Sequence, residues 1–503
     1  MYSCNSGVLA SQTNSTQQGQ CAEPANQFRI TQEPYDNFFY SDCNTAVQVV
    51  VTSPVEGSNL TVIGPRLLVA WPGGNSGLVV FWAPENGING SLTIGIENTS
   101  TTDSGALSPI YNASESGNTP QFGISGAIRL NSSAVLSVAI LGSIRTVRDF
   151  TEGPSLLIPE IQNATNYSLA DDGTLTIDRL WLDNVTTTTL TFTPLDSNSI
   201  SLVGDSSTFE AGLYAFEAYY NYPQLEQLSP EEVLTPDAQG LITQSPDRTS
   251  SLSFFSYTTK LLAGGWRFLT YFGRDSMLTL LLMQPVLSEG EGGAIEAVIS
   301  SVLERINQTD GSACHEETIG DYATYLHQQE NVTSTQPLCD YKMIDTDYYV
   351  PILIKNYFVD TKTGQTRSDA FFNTTATSDF GNGNLTWAQL ALINAEKIMN
   401  TSAAFAAPGG QTQDNLIHLK EGQIVGQWRD STYGIGGGRI PFDVNTALVP
   451  AALRAISVLA ANGYYEDYPD WNETAAEYAQ VWEDQTLQFF EVRNGYPRNH
   501  SGC

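Results

Sequence analysis

Positive charge is the scarcest feature of this sequence. Lys and Arg number 22 against 54 Asp and Glu, which leaves a formal charge of −32 over 503 residues. A chain this acidic repels polyanions, so neither nucleic acid nor an acidic membrane surface is expected as a partner, whereas an uncharged ligand is not repelled. Histidine is nearly absent, at four residues. The one His-Glu pair, His315-Glu316, has Ile319 where an H-E-x-x-H helix needs its second ligand, so no metal is expected. No cofactor motif appears either: there is no G-K-[ST] loop, no complete G-x-S-x-G elbow, and Arg439 breaks the glycine run at 436–438 where G-x-G-x-x-G would continue. No apolar run reaches the roughly 18 residues of a membrane helix. The opening MYSCNSGVLA lacks the charged start of a signal peptide. For a secreted protein, the numbering would then begin near the mature end.

The six cysteines include no C-x-x-C pair. That spacing fits disulfides in an oxidising compartment. Cys314 and Cys339 are read as one local closure, with Cys4, Cys21, Cys43 and Cys503 unassigned. N-x-[ST] triplets are dense: Asn59, Asn89, Asn98, Asn112, Asn131, Asn163, Asn184, Asn307, Asn331, Asn373, Asn384, Asn400 and Asn472 are the candidate glycosylation sites, and Asn14, Asn166 and Asn499 also fit the pattern. Together these features point to a secreted, extracellular glycoprotein.

The periodicity divides the chain. Over 1–213 short alternating runs, at 60–69, 77–82, 91–97, 134–146, 174–182 and 188–192, are separated by Gly, Pro, Asn and Ser, which predicts an antiparallel β-sandwich. A proline-bearing linker is read over 214–250, with a brief helix near Pro230. From 251 to 503 apolar residues recur at three and four, predicting helices over 252–263, 276–286, 293–305, 344–358, 387–399, 445–461 and 474–490. Short and long connections alternate between them, the pattern of an α/α toroid whose long loops gather at one end. An irregular helical domain is the plainer alternative.

Chemistry concentrates in three loops of this second half. The stretch 264–284, GGWRFLTYFGRDSMLTLLLMQ, brings Tyr271, Arg274 and Asp275 to the mouth of an apolar helix, with Ser276 as its expected cap and 277–283 expected to be buried on most sides. Arg274 and Asp275 suit a ligand rich in hydroxyls, and equally a structural ion pair. The second loop carries Asp310, His315, Glu316 and Glu317, then Asp345 and Asp347 beside two tyrosines at a helix start. An apolar setting there would raise a carboxyl pKa toward that of a general acid, although Asp is also a common structural cap. The third loop holds Trp428 and Asp430, then Asp443 and Asn445; an exposed tryptophan flanked by acids suits stacking on a sugar.

TYFGRDSM, DG…HE, MIDTDYYV and QWRDS…RIPFDVNTAL occur in the order found in six-hairpin glycosidases, and the set resembles the glucosidase domain of glycogen-debranching enzymes over about residues 252–453. The resemblance implies a β-sandwich followed by an (α/α)6 toroid, a carbohydrate substrate, and inverting hydrolysis of α-glucosidic bonds by a general acid and a general base. It implies that Arg274 and Asp275 bind the terminal glucose and that Asp345 is the acid. Trp428, Asp430, Asp443 and Asn445 would line the sugar site, and Tyr271, His315 and Asp347 are counted with them. The family places its base in the closing helices, whereas this sequence ends at Cys503 with roughly half of a toroid's helices in place. Three expectations follow: an incomplete toroid joined by a C-terminal remainder of the same precursor, disulfide-linked through Cys503; a base moved to Glu316 or Glu317; or a carbohydrate-binding glycoprotein that has lost hydrolysis.

Overall fold

The computed structural model describes residues 21, 24–55, 64–98, 105–112, 119–143, 157–263, 268–429 and 437–491. Asn59, Asp430, Cys4 and Cys503 lie outside them.

The N-terminal part consists of two antiparallel sheets. One contains β1 (Asn26–Gln32), β2 (Tyr35–Ser41), β3 (Ala46–Thr52), β4 (Arg66–Trp71), β5 (Ser76–Pro84), β9 (Ala134–Ser143), β14 (Ser206–Phe209) and β13 (Ile200–Val203), in that spatial order. The other runs β10 (Thr165–Leu169), β11 (Leu175–Leu180), β12 (Thr187–Pro194), β15 (Gly212–Tyr220), β8 (Gln121–Leu130) and β6 (Ile94–Glu97), with β7 (Leu107–Asn112) also on β8. Trp71, Trp82, Phe192, Phe209, Tyr214 and Tyr220 fill the space between the sheets. Strands β3 to β5 read as unbroken apolar runs instead of alternating ones because both faces are covered. Their second face, at Val50, Leu68, Val79 and Phe81, packs on Phe254, Tyr257, Leu262 and Leu269 from the helical side. The sandwich also extends past the expected boundary at 213, since β15 pairs with β8 and β12 along its whole length to Tyr220.

Within the segment read as linker, Pro230–Val233 forms one turn with a capping box between Ser229 and Glu232. The helices that follow are α1 (Pro246–Phe255), α2 (Gly273–Met283), α3 (Ala294–Glu304), α4 (Gly320–Gln329), α5 (Val350–Ile354), α6 (Lys362–Phe372), α7 (Trp387–Ala406), α8 (Val449–Ala461) and α9 (Trp471–Gln485). The helix expected over 252–263 instead breaks at Ser256 into a two-residue hairpin, Ser256–Tyr257 with Lys260–Leu261. Helices α4 and α6 were not expected; they are largely polar, with little apolar period to read. Ser276 does not cap α2. The helix begins at Gly273, and the Ser276 hydroxyl donates to the Leu261 carbonyl at 2.8 Å. Leu282 is 80% exposed, while the rest of 277–283 is buried or half-buried. Val444–Ala461, an 18-residue helical run, is long and apolar enough to cross a membrane by length and composition, contrary to the sequence expectation. In the fold its Val449, Leu453, Ile456 and Leu459 are core residues.

A buried pair fastens the two parts together. Arg179 on β11 meets Asp321 on α4 at 2.7 Å, both side chains fully buried, and Asp321 also accepts from the Leu182 N–H. Disulfides join Cys21 to Cys43 and Cys314 to Cys339. The second is the local closure expected from spacing, and the pair of bonds is compatible with an extracellular setting. Asn89, Asn98, Asn112, Asn131, Asn163, Asn184, Asn331, Asn373, Asn384, Asn400 and Asn472 are exposed, and Asn307 is half-buried.

Candidate functional site

Three helix starts meet in the helical part. Arg274 lies in the first turn of α2, Asp345 precedes the 3-10 turn Thr346–Tyr349 that leads into α5, and Asp443 precedes the π-helical turn Val444–Leu448 that leads into α8. The turn Thr346–Tyr349 is in contact with both α2 and the turn Val444–Leu448.

Gly273 is required where it stands. Its N–H donates to the His315 carbonyl at 2.8 Å, and a Cβ there would come within 2.2 Å of the Cys314 carbonyl oxygen. This close approach brings α2 against the two-stranded sheet of Glu316–Thr318 and Leu338–Asp340, which the Cys314–Cys339 disulfide clips.

Asp345 is fully buried, and Arg274 Nη1 reaches both its oxygens, at 3.0 and 3.3 Å. Burial pushes its pKa up to about 6; Arg274 and the Trp428 N–H oppose the rise, and Asp443 adds to it. Burial raises the half-buried Asp443 as well, against Arg429 and Arg274. Tyr349, between these groups, is pushed up to about 12 by burial and the two carboxylates. His315 is buried with its ring edge-on to Phe272 at 5.4 Å, and its Nδ1 has no hydrogen-bond partner among the described residues. Burial and the Arg274 charge push its pKa down to about 3, so it is neutral at ordinary pH. Trp428 is 49% exposed, with the Arg429 guanidinium 4.5 Å over its ring.

The structure therefore brings Arg274, His315, Asp345, Trp428 and Asp443 into one electrostatic neighbourhood. Asp275 is exposed in the first turn of α2. Glu316 is half-buried, opposite Asp340 and bridged to Phe272, one residue before Gly273. Asp347 faces away from solvent: it accepts from the Ala313 N–H at 2.7 Å and pairs with Lys397 at 2.7 Å, so it holds the 310–313 loop in place. Asn445 is buried too, tying the Ile417 backbone to Pro441 through three hydrogen bonds. Tyr271 lies under Arg305 at 4.5 Å, and its hydroxyl is buried without a hydrogen-bond partner among the described residues. Glu317 is committed between Lys260 at 2.5 Å and Arg305 at 2.7 Å; burial opposes its ionisation, yet the two cations hold its pKa down to about 2.

Sequence reasoning set two tyrosines beside Asp345 but did not count Tyr349 or Arg429 among the site residues. Tyr349 stands four residues after Asp345, a spacing that puts two side chains on one helix face and was available to be read. Among the described residues no group of three or more His, Cys, Asp or Glu is arranged to hold a metal ion. Comparison with known protein families finds no family model that matches this chain, and comparison with curated proteins finds no match either.

Proposed function

We propose that this chain is a secreted glycoside hydrolase that cleaves α-glucosidic bonds of oligo- or polysaccharides with inversion. In this reading the helical part is the first portion of an (α/α)6 toroid, and Asp345 is the general acid. One observation carries it: the fully buried Asp345 carboxyl, paired with Arg274 and raised by burial to about 6, has a second raised carboxyl, Asp443, and the exposed Trp428 as neighbours. An acid must hold its proton near working pH, and burial supplies that condition here. Inversion needs a second carboxylate to activate water. Of the two bases offered by the sequence, Glu317 is committed to Lys260 and Arg305, which leaves Glu316, with Asp443 as a further candidate. Arg274, Asp275 and Trp428 hold the sugar.

A specific observation favours a second reading. Asp345 is closed over by Arg274 with no exposed surface, which suits a carbohydrate-binding glycoprotein without turnover. The two are separated by incubating the protein with α- and β-linked glucose disaccharides and longer oligomers. Released glucose that disappears in Asp345→Asn, with sugar binding kept, supports hydrolysis, and Glu316→Gln against Asp443→Asn then names the base. Binding without release supports the second reading, and full turnover by Asp345→Asn removes Asp345 as the acid.

A further inference from the structure

A groove of about 780 Å³ lies well away from the Arg274–Asp345 pair. It is formed where the helices that start at the candidate site come to an end: Ile354, Phe358 and Val359 line it from the α5 side, and Asn462 to Tyr465 from the end of α8. At about 1.5 Å per helical residue, this is on the order of 20 Å from Asp345.

The lining is amphipathic in a particular way. Its floor is apolar and aromatic, with Phe358, Phe372 and Tyr465 buried and Leu392 half-exposed, while its rim carries Gln365, Asp369, Gln389, Glu466 and Asp467, all exposed. Among the described residues no Lys or Arg lines it. Carboxylates and carboxamides over an aromatic floor accept and donate to hydroxyls and amides, and the absence of basic groups disfavours an anion. A volume of this order is that of a cleft that engulfs a small ligand.

One rim residue supplies the occupant. Asn373 lines the groove, is exposed, and opens the sequon Asn373-Thr374-Thr375. We propose that Asn373 is N-glycosylated and that the first sugars of its own glycan lie in this groove, their acetyl groups on the apolar floor and their hydroxyls on the acid and amide rim. Attachment forms a bond from Asn373 Nδ2 to the anomeric carbon of a lipid-linked oligosaccharide, with loss of one proton and departure of the lipid diphosphate. Nδ2 keeps one N–H, enough to retain its 2.8 Å hydrogen bond to the Asp369 carbonyl at the end of α6. That bond fixes the first sugar's direction. The inference does not depend on hydrolysis at the other end of the helices.

The test is made on the full chain secreted from eukaryotic cells. Peptide mapping by mass spectrometry reads occupancy, and a peptide N-glycosidase is then applied to the native and the denatured protein. Asn373 is expected to be occupied and to release its glycan at least tenfold more slowly than the exposed sequons outside the groove, Asn89, Asn184 and Asn331, in the native state only. Ala388→Arg, an exposed lining position on α7, fills the groove and is expected to abolish that protection. An unoccupied Asn373, release at the same rate as the other sites, or protection that survives Ala388→Arg would overturn the proposal. The comparison among sites in the unaltered chain stands without the variant.

Discussion

Replacing Asp345 by Asn tests whether burial or pairing governs the candidate acid. A carboxyl moved from 3.8 to about 6 in the folded state carries a penalty of about 3 kcal/mol once ionised, at about 1.4 kcal/mol per pH unit. The direction follows from proton binding. Below 3.8 folded and unfolded chains both hold the proton and nothing is lost. Between 3.8 and about 6 the unfolded chain releases it while the fold retains it, so stability falls as pH rises; above about 6 the full penalty applies. Asn never ionises. The stability of Asp345→Asn relative to the parent chain is therefore expected to climb by about 3 kcal/mol between about pH 3 and pH 7. The assay is urea unfolding followed by tryptophan fluorescence across that range, with the difference between the two proteins taken at each pH so that other titrating groups cancel. A flat difference, or one in which the parent gains as pH rises, refutes the reasoning. It would mean that the Arg274 ion pair outweighs desolvation and that Asp345 is a permanently ionised strut with no proton to give at neutral pH.

His315 should behave in the opposite sense. With its pKa pushed down to about 3 by burial and Arg274, it stays neutral, and its ring resonances are expected not to shift between about pH 5 and pH 8 in NMR; titration near the ordinary 6.5 would show the ring to be solvated. Because its folded pKa is lowered, the stability linked to it is complete above 6.5 and declines as pH falls toward 3. Asp321→Ala leaves the fully buried Arg179 without its partner at the junction of sheet and helices. A loss of about 3–5 kcal/mol is expected, read as a lower urea midpoint and as faster proteolysis at the junction, and a loss under about 1 kcal/mol would show the pair to be dispensable.

The elements that could be read from sequence are those whose pattern is local. The strands of 174–182 and 188–192 and the helices α3 and α8 announce themselves by period, and the Pro230 turn by its capping box. Where reading failed, the deciding force came from elsewhere in the chain. The alternation sought in β3 to β5 is absent because a helical layer covers their outer face. The helix expected over 252–263 yields to a hairpin whose Leu261 carbonyl takes the Ser276 hydroxyl. Helices α4 and α6 are fixed by contacts that a polar sequence does not display, among them Asp321 with Arg179 and Arg367 with Glu296.

The same division runs through the site. Sequence by itself determined which residue types were available: an acidic, cation-poor chain, three loops that cluster acids with aromatics, and a cysteine pair spaced to clip one of them. Only the tertiary structure decided which of those acids are alike. Asp345, Asp347 and Glu317 are all buried, yet the two cations beside Glu317 hold its pKa down, whereas burial raises Asp345 despite Arg274 and raises Asp347 despite Lys397. The reason is physical. A carboxyl's pKa is set by the water it has lost and by charges that approach it through space, and residues far apart in the chain supply both.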